Sequence, residues 1–95
     1  MSHPTSKQVR AILTHVSDRF IRRADASDAP QTADALGITE QNVLEAMNQL
    51  RLGGLLIVEQ GRYYPSIYTL RAHMVEIHRR TMSLFAEQAG KGRAA

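Results

Sequence analysis

Cysteine is absent from the 95 residues, which excludes a disulfide framework and any thiolate metal site and leaves nothing that calls for an oxidising compartment. No window approaches the ~20 apolar residues of a membrane span. The opening residues, M-S-H-P-T-S-K, lack the apolar run of a signal peptide. The expectation is a soluble, cytoplasmic protein with no membrane partner. A glycine-rich phosphate loop is missing too. The histidines at 3, 15, 73 and 78 have no metal-ligand spacing, since His73 and His78 point roughly 140° apart on a helix. His15, Ser17 and Asp18 adjoin in sequence, whereas a catalytic triad gathers its members from distant parts of a cleft. At 43% hydrophobic residues the chain has one small core and no room for a second domain, and a two-layer enzyme cleft would be hard to fit. It reads as a non-enzyme with no cofactor and no metal.

A net charge of +3 suggests an anionic partner, but the distribution says more than the sum. Residues 31–61 carry Asp34, Glu40, Glu45 and Glu59 against Arg51 alone. The excess of positive charge lies on the flanks, with Lys7, Arg10, Arg19, Arg22 and Arg23 before and Arg62, Arg71, Arg79, Arg80, Lys91 and Arg93 after.

Val9, Ile12, Leu13, Val16 and Phe20 recur at steps of three and four and predict a first helix ending near Ala24. Thr5 with Gln8 fits a capping box, and Arg22 and Arg23 complement the carboxyl end of the helix dipole. Asp28 caps a second helix, with Pro30 in its first turn and Gln31 placed for a second capping box. This helix runs to Leu36, before Gly37. Thr39 caps a third, in which Val43, Ala46, Met47 and Leu50 share the buried face and Gln41, Asn42, Glu45, Asn48 and Gln49 the opposite one.

Gly53 and Gly54 stop that helix. The apolar run from Leu55 to Val58, a Gln60-Gly61 loop and a return through Arg62 to Pro65 predict a hairpin in which Glu59 and Arg62 pair. Pro65 restricts the second strand to an edge. Tyr63, Tyr64 and Tyr68 are expected to bury their rings between hairpin and terminal helix. Ser66 caps a long helix to Ala89, with one stripe through Ile67, Leu70, Met74, Ile77, Thr81 and Leu84 and further apolar surface at Val75, Met82 and Phe85. In so small a domain one stripe can pack on the body while the rest awaits a partner. Met47, Met74 and Met82 are read as core and interface filler.

Ala33, Gly37 four residues on and Val43 six after that, followed by R-L-G-G-L-L-I-V, resemble the winged helix-turn-helix transcription regulators, among them the GntR, MarR and PadR families. The resemblance covers about Val9 to Pro65. It implies a mainly α fold with a small β-hairpin, a winged helix-turn-helix over residues 5–65 and a dimerisation helix over 66–89; the K-G-R-A-A end itself reads as a flexible basic tail over 90–95. By position, Thr39, Gln41, Asn42, Glu45 and Asn48 would face the bases of double-stranded DNA, with Arg62 on the wing. The third helix has only Arg51 as a cation, so phosphate contacts would come from Lys7, Arg10, Arg62 and the tail. A homodimer would form through Ile67, Leu70, Met74, Ile77, Met82 and Phe85. The function so implied is a small regulator, a repressor occupying a palindromic operator. The alternatives are a winged helix that binds a protein partner, as adaptor or inhibitor, and a non-specific DNA-coating or partition protein.

Overall fold

A computed structural model describes residues 3–93, with side chains to residue 89. The elements are α1 (Ser6–Arg23), α2 (Ala29–Leu36), α3 (Glu40–Leu52), β1 (Leu56–Glu59), β2 (Arg62–Pro65) and α4 (Ile67–Arg93). The starts of the first three helices are set by local chemistry. Thr5 accepts a hydrogen bond from the Gln8 amide and Gln8 answers to the Thr5 amide, completing the expected capping box. Thr39 Oγ1 accepts from Asn42 N. Asp28 Oδ1 accepts from Gln31 N at 2.8 Å, but the second capping box is not completed. The Gln31 carboxamide instead lies 3.2–3.3 Å from His15 Nε2 on α1. That contact ties α2 to α1, a tertiary bond displacing a local one.

Gly37 ends α2 at φ 66°, a conformation that costs an L side chain energy. It turns α3 across α1 and α2, and Ile12, Val16, Ala29, Val43, Ala46, Met47, Leu50 and Leu56 close into the core. Gln60 and Gly61, at φ 53° and 75°, make the two-residue turn of the hairpin, whose register pairs Glu59 with Arg62 and Leu56 with Pro65. In that register Tyr63 and Pro65 turn their backbone groups away from β1. Tyr63 uses them to exchange two hydrogen bonds with Ser27, at 2.7 and 3.1 Å, a bridge that the sequence did not reveal. The missing amide of Pro65 costs β1 no bond, as expected of an edge position.

α4 meets the body with its first turns. Ser66 N and Thr69 Oγ1 both donate to Leu55 O, and His73 Nε2 lies 3.2 Å from Asp18. The body-facing side is therefore Ser66, Thr69, Leu70 and His73, not the apolar stripe expected. From that stripe Leu70 is half-buried against the body, while Ile67, Met74 and Ile77 are exposed. The helix continues past Ala89 to Arg93. Residues 94 and 95 of the expected tail lie outside the described residues. A helix of 27 residues is roughly 40 Å long and gives the molecule its 55 Å long axis against 27 and 22 Å across.

Candidate nucleic-acid interface

The outer side of α3 and the adjoining hairpin form the surface on which the expected base-reading residues can be checked. Val43, Ala46, Met47 and Leu50 anchor α3 inward, so residues about half a turn away must face solvent. Gln41 and Asn48 do so, Glu45 does partly, and Thr39 is exposed at the helix start. Asn42 does not. It is 7% exposed, because it lies about 100° from Val43 on the side where α3 packs. Its expected place on the outer face is corrected accordingly.

Three of the remaining polar groups already have partners, Thr39 through the Asn42 amide that it caps. Glu45 Oε1 lies 2.8 Å from His3 Nδ1, so the segment before α1 crosses the middle of α3. Arg51 Nη2 donates to Asn48 Oδ1 at 2.8 Å, bringing the single cation of α3 back along the outer face by one turn. Leu44, which the sequence reading left unassigned, stands between Gln41 and Asn48 and is 45% exposed. Its signal was present in the helical spacing, three residues from one and four from the other, but four neighbouring apolar residues already filled the core stripe. An exposed apolar side chain between two polar ones can contact a thymine methyl or a protein surface.

The wing carries Arg62 at its turn, beside Glu59 by register. The expected Glu59 pairing gives way to Asp25, whose Oδ1 is 4.0 Å from Arg62 Nη1 and whose Oδ2 is 2.8 Å from Arg19 Nη2. Asp25 thus links the end of α1 to the base of the wing, and Arg62 remains mostly in solvent. Surface ion pairs of this kind contribute little, so Arg62 is available for another anion. Tyr64 packs its ring edgewise on Phe20, centroids 6.0 Å apart, and Tyr63 joins the core. Tyr68, expected to be buried, is 73% exposed, because α4 turns Thr69 inward in its stead.

Lys7 and Arg10 are exposed on α1. Arg10 shares a groove with Pro4, Gln49 and Leu50, which places it beside the last turns of α3. Lys7 and Arg10 also flank Leu36 at the end of α2. Among the described residues no group of histidine and carboxylate side chains could hold a metal ion, and no helix is long and apolar enough to cross a membrane.

No protein-family model and no curated protein matches the chain. A solved structure does: a single-residue mutant of ZitR from Lactococcus lactis superposes on 92% of this chain with a TM-score of 0.60 at 19% identity. The fold is a winged helix-turn-helix. The match spans 61% of the ZitR chain. In winged-helix terms α2 and α3 are the helix-turn-helix, the hairpin is the wing, and a single-residue bridge at Ser27 braces the wing from its outer edge.

Proposed function

We propose that this winged helix is a DNA-binding transcription regulator that works as a homodimer, repressing by occupying a palindromic operator. The observation that carries the reading is the outer face of α3, which presents Gln41, Leu44 and Asn48 to solvent beside a wing whose Arg62 is also exposed. Glutamine and asparagine can bond adenine through two hydrogen bonds, and leucine can meet the thymine methyl. Lys7, Arg10 and Arg62 would contact phosphates, which position the protein without reading sequence. Thr39 would act at the start of α3, while Glu45 accepts from cytosine only after releasing His3.

The dimer reading is supported by α4, where Ile67, Met74, Ile77, Met82 and Phe85 are exposed on a helix that extends beyond the body. Leu70 drops out of that interface because its own chain half-covers it. Two copies joined through α4 would carry two α3 helices, so the half-sites would be spaced by one DNA turn or a multiple of it. Repression by occlusion needs nothing beyond that geometry.

A second reading has its own observation. Leu52 is 71% exposed and lies with Leu44 on a face that also bears Glu40 and Glu45. Acidic and apolar side chains together suit a protein partner better than a phosphate backbone. The deciding experiment is selection of bound sequences from random double-stranded DNA by the purified protein. An enriched palindrome supports the specific regulator. Binding without enrichment supports a coating protein, and no binding at low salt supports the protein partner.

A further inference from the structure

The basic residues at the end of α1 take no part in the DNA-facing surface proposed for α3 and the wing. Arg19, Arg22 and Arg23 stand three and four residues apart and so share one side of the helix, with His15 a turn before them. That side faces α2 across a groove of about 390 Å³, walled by His15, Arg19, Arg22 and Arg23 from α1 and by Gln31 and Ala35 from α2. Its volume is in the range of sites for small molecules. The contact of the His15 ring with the Gln31 carboxamide, at 3.2–3.3 Å, bridges the two walls.

Arg19 is held in place before any ligand arrives. Its Nε donates to Ala26 O at 3.2 Å and its Nη2 to Asp25 Oδ2 at 2.8 Å, and its side chain is 23% exposed. Nη1 makes no hydrogen bond among the described residues. A guanidinium carries N–H donors on every edge, so a largely buried cation with an unused edge lines the groove. The carboxylates nearby are too few to neutralise the arginines. Asp18, which also lines the groove, is divided between Arg22 at 3.3 Å and His73 at 3.2 Å. Asp25 is divided between Arg19 and the more distant Arg62. Arg23 makes no hydrogen bond or ion pair among the described residues. Complementing the helix dipole accounts for Arg22 and Arg23 as charges on the last turn of α1. It does not account for Arg19 a turn earlier, nor for the concave wall that all three form against α2.

We propose that this groove binds a small molecule carrying two oxyanion groups, carboxylate or phosphoryl, one held by Arg19 and the other by Arg22 and Arg23. The guanidinium fork matches carboxylate and phosphate oxygens through charge-assisted hydrogen bonds. Arg19 and Arg23 are one turn apart, about 6 Å along the helix, which suits two anionic groups on a short backbone better than one. Gln31 offers a carboxamide to the part of the ligand between them. A ligand touching both walls would fasten α2, the first helix of the helix-turn-helix, onto α1.

Titration of the full isotope-labelled chain with citrate and with pyrophosphate, at constant ionic strength, tests the site by nuclear magnetic resonance. At least one of the two should shift the side-chain signals of Arg19, Arg22 and Arg23 and the amides of Gln31 and Ala35 along a single saturating curve. Citrate alone would assign a carboxylate ligand, and pyrophosphate alone a phosphoryl one. Acetate, with a single carboxylate, should bind at least about tenfold more weakly, the expected effect of losing one charge-assisted contact. The double variant Arg22→Gln, Arg23→Gln should weaken binding by a similar factor with unchanged circular dichroism, both residues being exposed. Shifts that grow without saturation, or that spread evenly to Lys7, Arg10 and Arg62, would be general screening and overturn the site. Groove signals that answer to duplex DNA and to neither small anion would also overturn it, because the groove would then hold the DNA backbone. Acetate binding as tightly as citrate and pyrophosphate overturns the pairing of two anionic groups alone. No small-anion readout involves an operator, so failure here is distinct from failure of the regulator reading.

Discussion

Gln41 and Asn42 are adjacent on α3, with the same chemistry and opposite surroundings. That difference separates base reading from packing. Gln41 is exposed, whereas Asn42 is buried and its backbone amide is held by Thr39. If α3 enters the major groove, Gln41→Ala should weaken operator binding by roughly 1–3 kcal/mol with an unchanged melting temperature. Asn42→Ala should instead lower stability by about 1–3 kcal/mol, the cost of disturbing a buried polar group. Titration of the selected operator and urea unfolding of both variants check the pair, and equal affinity for Gln41→Ala and wild type would remove Gln41 from the interface. A second residue-scale prediction concerns backbone strain. Ala24 ends α1 in the left-handed region at φ 52°, where an alanine Cβ crowds the following carbonyl at about 1 kcal/mol or more. Ala24 is exposed, so a glycine there loses no packing. Ala24→Gly should raise the urea midpoint, and a lower midpoint would show that unfolded-chain entropy outweighs the relieved strain.

At the scale of elements, α4 divides into a half that belongs to the body and a half that does not. Thr69 and His73 reach Leu55 and Asp18, whereas Met82, Leu84 and Phe85 are exposed. Deleting residues 79–95 keeps the body contacts and removes half the proposed pairing face, so a folded monomer should result. Sedimentation with circular dichroism checks this, and a stable dimer would remove α4 as the seam. The same helix shows what sequence reading can reach. Its existence was legible in the apolar spacing and in Ser66, and α1 to α3 were legible in Thr5, Asp28, Thr39 and Gly37, because caps and periodicity act within a few residues. Which side of α4 faces inward was not legible. The Leu55 carbonyl and the Asp18 carboxylate select Thr69 and His73, and both lie far off in the chain. For the same reason the Ser27–Tyr63 bridge was hidden in a stretch that reads only as a polar connection. The proposed interface is legible in part: helical spacing alone puts Gln41 and Asn48 on the outer face, whereas the burial of Asn42 depends on how α3 rolls against its neighbours, a tertiary fact.

For the molecule as a whole, the charge distribution makes a prediction about DNA that no single residue makes. α3 has few cations to offer phosphate: Arg51 is turned back to Asn48, and Glu40 and Glu45 would face the DNA backbone unfavourably. If the protein binds DNA as proposed, the electrostatic part of that binding would come from Lys7, Arg10 and Arg62, each exposed and on elements flanking the helix-turn-helix. Each phosphate neutralised contributes about −0.9 to the slope of log K against log salt. Replacing all three by glutamine should therefore flatten that slope by roughly 2–3 per protomer. Affinity should fall by similar factors for operator and random DNA, because phosphate contacts carry no sequence information. Gln41→Ala should do the reverse, lowering the ratio of specific to random affinity and leaving the slope unchanged. Fluorescence anisotropy across a salt series with both DNAs measures the two effects together. An unchanged slope in the triple variant would mean that these cations are not the phosphate contacts. A molecule with so acidic an outer helix would then have too little electrostatic attraction for DNA, and the exposed Leu44 and Leu52 beside Glu40 and Glu45 would mark a protein-binding surface.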